Sequence, residues 1–142
     1  MNKIKIKTDV IPSIESLMNL YNDVGWSVYT DDPSKLKMAY DNSLKVISAW
    51  NEDILIGIIR AVGDGCTIIY IQDILLLKKY QGEGIGSILM NEMMTIYKDV
   101  RQKVLMTDDQ PDTIAFYKKC GFVTPDVYGA IAFVKDTQRL DF

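Results

Sequence analysis

The sequence predicts a mixed α+β fold, with helices flanking a mixed sheet rather than a doubly wound parallel one. Three observations predict it. Strand-like apolar runs bounded by turn residues dominate the first half of the chain. A β-α-β unit sits mid-chain, where "IIYIQDILLL" leads through a glycine cluster into "IGSILMNEMM" and then "KVLM". The chain has 142 residues, enough to bury one core and short for two. The expected order is β-α-α-β-β-β-α-β-α-β-β in a single domain, 1–142.

Each element has a local reason. "MNKIKIKTDV" alternates, placing Ile4 and Ile6 on one strand face and lysines on the other, and it lacks the continuous apolar core of a signal peptide. Pro12 and Ser13 open a helix with Ile14, Leu17, Met18 and Tyr21 at helical spacing, ending near Gly25. Gly25 to Asp32 reads as a loop. Asp32 or Ser34 then caps a short helix through Tyr40, with Pro33 in its first turn. "LKVISAW" and "ILIGIIRAV" form a hairpin around Asn51-Glu52-Asp53. Gly63 to Gly65 make a second tight turn into the β-rich run Thr67–Leu77. After the glycine cluster, Ile85, Ile88, Leu89, Met93, Ile96 and Tyr97 mark an amphipathic helix. "KVLMT" is a short buried strand. "PDTIAFYKKC" is a helix opened by Pro111 and stopped by Gly121. "FVTPD" and "AIAFVKD" are expected as closing strands.

Composition excludes several classes of function. A formal net charge of −3 argues against a nucleic-acid surface. No stretch approaches the ~18 uninterrupted apolar residues of a membrane span. Cys66 and Cys120 have no metal-ligand spacing and read as free thiols in a reducing cytoplasm. Histidine is absent, which excludes Ser-His-Asp and Cys-His mechanisms within the chain and any histidine-containing zinc site. No metal is expected. Acid–base work falls to Asp, Glu, Tyr, Cys, Lys or water.

The informative stretch is "LLLKKYQGEGIGSILM", with Gly82, Gly84 and Gly86 between two apolar runs. A phosphate-gripping P-loop needs Lys after its last glycine, and Ser87 stands there instead. A dinucleotide fingerprint needs a third glycine where Ser87 stands, and too little chain follows for the second half of such a fold. A plain strand-to-helix turn also fits the local pattern. The third functional reading takes "QGEGIG", Gln81 to Gly86, as Q-x-x-G-x-G ahead of a helix N-terminus. Such a terminus has unpaired N–H groups and a positive dipole end that receive an anion.

In this motif the sequence resembles the GNAT superfamily of N-acetyltransferases. A second signature, "TIAFYKKCGF" from Thr113 to Phe122, resembles that family's helix-then-strand segment, and "VLMTDD" before it resembles the family's fifth strand. The hint of small arylalkylamine-type members lies in "GW" followed by a short helix and "NS". The resemblance implies the acyl-CoA N-acyltransferase fold, with a mostly antiparallel central sheet, and acetyl-CoA as co-substrate.

The resemblance also implies roles. Ile74 and Leu76, at the end of the fourth strand, offer backbone groups to the pantetheine arm. Gln81, Gly82, Gly84, Ile85, Gly86 and Ser87 surround the pyrophosphate, mostly through backbone N–H groups, with Glu83 facing solvent. Gln110 stands where the family often has a pantetheine-contacting Asn. Tyr117 is placed to give the leaving thiolate a proton or a hydrogen bond, or else is a packing aromatic beside Phe116. Tyr70 and Gln72 stand at positions held by histidines in arylalkylamine enzymes, with Gln72 on the acceptor side. Asp73 is the leading candidate for the base, with a buried salt-bridging role equally open and Asp108 and Asp109 as other carboxylates. Trp26 and Tyr29, beside Asp31 and Asp32, suit an amine through cation–π contact and charge, while Trp26 equally fits a core aromatic. Cys120, with no histidine to activate it, is not expected as a nucleophile.

The implied function is transfer of an acetyl group to a primary amine of a small molecule by direct attack. The alternatives are acetylation of a protein lysine or N-terminus, and a non-catalytic coenzyme A ester sensor. A homodimer through edge strands, with "AIAFVKD" as the apolar edge, is a further expectation.

Overall fold

The computed structural model describes residues 3–137, and the chain forms two compact units, Met1–Met106 and Thr107–Phe142. Among the described residues, no helix is long and apolar enough to cross a membrane.

The first unit holds one sheet and four helices. The strands are β1 (Ile4–Lys7), β2 (Lys45–Asn51), β3 (Ile54–Gly63), β4 (Ile68–Leu76) and β5 (Gln102–Leu105). They lie in the order β1-β2-β3-β4-β5. The first three junctions are antiparallel and the last, β4 with β5, is parallel. The mixed, mostly antiparallel sheet is therefore the one expected. The helices are α1 (Ile14–Asp23), α2 (Ser27–Thr30), α3 (Pro33–Asp41) and α4 (Ile85–Ile96).

Local chemistry sets the ends of these elements. Ser13 caps α1, its hydroxyl accepting from the Ser16 N–H at 3.2 Å. Of the two residues expected to cap the next helix, Asp32 does so, accepting from the Lys35 N–H at 3.2 Å, with Pro33 in the first turn. The expected loop Gly25–Asp32 contains one turn of helix, α2. The Asp31 N–H closes it on the Ser27 carbonyl at 2.9 Å, and the Thr30 hydroxyl donates to that carbonyl at 3.3 Å. Propensity gave no signal for so short a piece; packing of Tyr29 against Tyr21 holds it. At the β3–β4 turn, Asp64 accepts from the N–H groups of Cys66, Thr67 and Ile68 and from the Thr67 hydroxyl.

The core lies on both faces of β3, whose residues from Leu55 to Ala61 are all buried. β4 alternates instead: Ile69, Ile71, Asp73 and Leu75 are buried, with partly or fully exposed residues between them. On the Asp73 face sit Leu17, Leu20 and Tyr21 of α1 with Leu36 and Tyr40 of α3, all buried. On the opposite face α4 buries Ile85, Leu89, Met90 and Met93. Leu89 approaches Gly57 there, beside Leu76. Each such side chain contributes about 1.5–3 kcal/mol when fully removed from water.

In the second unit, α5 (Pro111–Lys119) starts and stops where the sequence says, and Gly121 follows it. The two closing strands do not form. "FVTPD" runs instead into a 3₁₀ turn, Pro125–Tyr128, because Pro125 has no N–H for a ladder and presets φ for the turn. "AIAFVKD" has strand-like alternation, but no strand pairs with it among the described residues, and Ile131 and Phe133 are exposed. Alternation proposes a strand; only a neighbouring edge makes one.

Candidate active site

The glycine cluster sits where β4 hands over to α4. A 3₁₀ turn, Lys78–Tyr80, follows β4, and Gly84 is the N-cap of α4 in the left-handed region, φ +85°. Gly82 is also left-handed, φ +82°. A Cβ at either position would meet nothing within 4 Å. Backbone conformation and open space, not tight packing, therefore account for glycine here. No side chain caps α4, so its first N–H groups face that space with the positive end of the helix dipole. The Ile85 side chain is buried, leaving only its backbone for a ligand, while Gly86 and Ser87 are partly exposed and Gln81 and Glu83 fully so. The Gln81 amide reaches back to donate to the Leu76 carbonyl at 3.1 Å, bracing the loop against the end of β4.

β4 also carries an open edge. It pairs with β5 only from Ile68 to Ile71. Beyond that the two strands part, and Asp73–Leu76, still paired to β3 on the other side, has no strand partner along the β5 side among the described residues. Ile74 and Leu76 lie on that free stretch, which an extended amide-bearing chain can meet as a strand would.

Asp73 is 2 % exposed and collects three donors. Its Oδ2 accepts from Arg60 Nε at 2.9 Å and from Tyr21 Oη at 3.0 Å. Its Oδ1 accepts from Tyr29 Oη at 2.9 Å. The Tyr40 and Tyr21 hydroxyls lie 2.6 Å apart, and the Arg60 guanidinium stands 5.2 Å from the centre of the Tyr40 ring. A register shift in the β3–β4 pairing places Arg60 opposite Asp73 and Ala61 opposite Ile71, leaving Gln72 as the extra residue. Gln72 is exposed, and its Nε2 donates to Tyr29 Oη at 3.3 Å. Trp26 stacks on Tyr29, centroids 5.9 Å apart at 28°. Burial, then the nearby Asp73 charge, pushes the Tyr29 phenol upward. Burial leads the upward shifts at Tyr21 and Tyr40 as well. At Arg60 burial pulls down, but Asp73 more than offsets it and the net direction is up. Asp73 is thus in a buried ion pair, and of its three donors Tyr29 alone is partly exposed. Trp26, Tyr29 and Gln72 come together as expected. Asp32 does not join them, because its carboxylate caps α3.

In the second unit, Tyr117 lies half-buried on α5 against Phe116 at 5.1 Å and Phe122 at 6.2 Å. Burial pushes its phenol up to about 12, with a Thr107 hydrogen bond pulling the other way. Gln110 is the N-cap of α5 but makes no side-chain cap bond. Burial raises the Cys120 thiol, the opposite of what a nucleophile needs.

Residues 11–122 match the acetyltransferase (GNAT) family. The chain belongs to the GNAT family. Among its relatives is an uncharacterized ycf52 N-acetyltransferase of Gracilaria tenuistipitata var. liui, 33 % identical over 121 residues, covering 80 % of this chain and 64 % of that protein. The chain thus spans less than two thirds of that relative's length. Among solved structures, a GNAT family acetyltransferase from Streptococcus pneumoniae TIGR4 is 32 % identical with a TM-score of 0.84, covering 96 % of this chain and 100 % of the other. The PaiA N-acetyltransferase of Thermoplasma acidophilum, solved in complex with coenzyme A, shares the fold at 20 % identity with a TM-score of 0.66, covering 86 % of this chain and 91 % of its own.

Within this GNAT chain, sequence reasoning missed Arg60, Tyr21 and Tyr40. A signal for Arg60 was present. Arg60 and Asp73 are charged residues inside strongly apolar strand runs, one on each side of the Gly63–Thr67 turn. Regular antiparallel pairing about that turn sets Arg60 against Gln72, and it is the bulge at Gln72, not legible in the sequence, that brings Asp73 opposite. Tyr21 and Tyr40 carried no comparable mark, since both fit ordinary helix core positions.

Proposed function

We propose that this chain is an acetyl-CoA-dependent N-acetyltransferase that acetylates a primary amine of a small molecule by direct attack, with residues 1–142 as one catalytic domain in the reducing cytoplasm. The observation that carries the reading is the uncapped N-terminus of α4 behind Gly82 and Gly84, beside the free edge of β4. Backbone N–H groups from Gly82 to Ser87 suit the pyrophosphate, and the Ile74–Leu76 edge suits the amides of the pantetheine arm. Gln110 is assigned to that arm by the resemblance.

The amine is held at Trp26, Tyr29 and Gln72. The bound ammonium first releases one proton to solvent, its nitrogen lone pair then attacks the thioester carbonyl, the C–S bond breaks, and the thiolate leaves. The proton shed by the amine on attack passes to Tyr29 Oη as the phenol's own proton moves to Asp73 Oδ1, along a hydrogen bond already 2.9 Å long. Tyr117, with its phenol at about 12, is a weaker acid than a thiol of pKa ~8.5. Its service to the leaving thiolate is therefore a hydrogen bond rather than complete proton transfer.

Isothermal calorimetry with coenzyme A tests the donor side: heat of binding at micromolar to submillimolar ligand is expected, and none at millimolar ligand refutes the reading. A panel of small amines set against peptides with a lysine or a free N-terminus, read as thiol release, tests the acceptor. Turnover confined to peptides refutes the small-molecule assignment.

A further inference from the structure

We propose that the Tyr29 hydroxyl, at the Tyr29–Gln72 wall, meets its ligand as a hydrogen-bond acceptor only, and that Arg60, Tyr21 and Asp73 are the positioning residues that impose this. The inference rests on the acceptor pocket of the acetyltransferase reading and assigns what that pocket recognises: the N–H donors of an ammonium group on a carbon frame that lies against Trp26.

Counting protons fixes the directions. Asp73 is ion-paired with Arg60 at 2.9 Å, and an ionised carboxylate only accepts. Tyr21 and Tyr29 therefore each give their single phenol proton to it. Tyr21 has no second proton, so in the 2.6 Å contact Tyr40 is the donor. Tyr21 and Tyr29 thus donate to the carboxylate directly and Tyr40 donates to Tyr21, and no other orientation keeps all of them paired. No buried side-chain polar atom in the described residues lacks a partner.

The consequence appears at the outer end. Tyr29 Oη has spent its proton inward and can only accept from outside. It already accepts from Gln72 Nε2 at 3.3 Å. That contact also sets the Gln72 amide. Turned the other way, its oxygen would face a phenol oxygen with no proton to offer. One Nε2 proton is committed there, and the oxygen and the second N–H of exposed Gln72 are left for a ligand. Trp26, stacked on Tyr29 and partly exposed, supplies an apolar wall.

An ammonium brings three donors to such a wall. An alcohol brings one. A carboxylate brings none, meets lone pair against lone pair at Tyr29 Oη, and finds only the second Gln72 N–H to accept from. The burial that raises the Tyr29 phenol keeps its proton in place across the physiological range.

The test compares three probes of one shape, 2-phenylethylamine, 2-phenylethanol and 3-phenylpropionate, by calorimetry on the full chain without cofactor. Wild type is expected to bind the amine at least tenfold more tightly than the acid. Asp73→Asn has nearly the same shape but offers an N–H to Tyr29, which turns the phenol proton outward. It is expected to lose at least tenfold in amine affinity and to gain affinity for the acid, a reversal that loosened packing alone does not produce. Should Asp73→Asn fail to fold, Tyr29→Phe is the second variant, expected to lose the amine tenfold with no gain for the acid. The proposal is overturned if wild type binds the acid as well as the amine or binds none of the probes. It is equally overturned if either folded variant keeps the wild-type preference. Coenzyme A binding, measured separately, reports on the acetyltransferase reading. Its failure with an intact amine preference would remove that reading and leave this one standing.

Discussion

Arg60→Met leaves the Asp73 carboxylate buried without its cation. The side chains are 7 % and 1 % exposed, so water cannot replace the guanidinium. Removing one partner of such a pair costs about 3–5 kcal/mol. Two phenol donors remain on Asp73, which places the expected loss near the lower end, about 3 kcal/mol. With a urea m-value of roughly 1.5 kcal/mol/M, the midpoint falls by about 2 M. Fluorescence of Trp50, nearly buried in β2 next to Arg60's own strand, follows the transition. The double variant Arg60→Met/Asp73→Leu leaves no buried charge and is expected to recover part of the loss, the remainder reflecting the buried phenol proton that loses its acceptor. A single-variant shift under about 0.5 M, or a double variant no better than the single, would show that the ion pair does not organise this core.

Three further outcomes are expected. Gly84→Asn, a residue that tolerates the left-handed region, should fold with a stability loss of about 1 kcal/mol or less, whereas Gly84→Val should cost more. Both should weaken coenzyme A binding in calorimetry, and unchanged affinity in the Asn variant would show that the open space over the glycines is not the anion site. Tyr117→Phe should lower kcat by about tenfold to a hundredfold with coenzyme A affinity retained. Because the phenol sits at about 12, an activity loss on raising pH toward 10 should be the same in wild type and in the Phe variant. The raised tyrosines, Tyr21, Tyr29, Tyr40 and Tyr117, store stability as neutral phenols. That contribution is complete below the unfolded phenol value of about 10 and is lost as pH rises through the higher folded values. A thermal-melt profile flat from pH 10 to 12 would contradict the burial of these hydroxyls. At the other end of the scale, hydrogen bonds from Thr67 and three backbone N–H groups hold Asp64 well below the usual carboxylate range. Its contribution is therefore present above about pH 4 and fades as the pH falls further, so Asp64→Ala should flatten the acid limb of the same melt profile.

Much of this protein was settled by the sequence alone. Ser13, Asp32 and Pro33 mark helix starts because capping is a contract between residues three apart. The hairpins are legible because turn chemistry and apolar period lie within a dozen residues. Gly82 and Gly84 announce a helix N-terminus left open for an anion, because only a residue without a Cβ sits easily at such φ values. "QGEGIG" with "FYKKCGF" ahead of it was enough to name the family. What only the tertiary structure decided involves partners far apart. Asp73 accepts from Tyr29, 44 residues away, and from Tyr21, 52 away. A carboxylate's role follows from which donors surround it, and nothing in "YIQDILL" specifies them. The parting of β4 from β5 after Ile71, and the lack of a paired strand for "AIAFVKD" among the described residues, are of the same kind. Period and propensity describe what a segment is ready to do. A ladder, an ion pair or a directed hydrogen bond also needs the other half, and only folding brings that half to it.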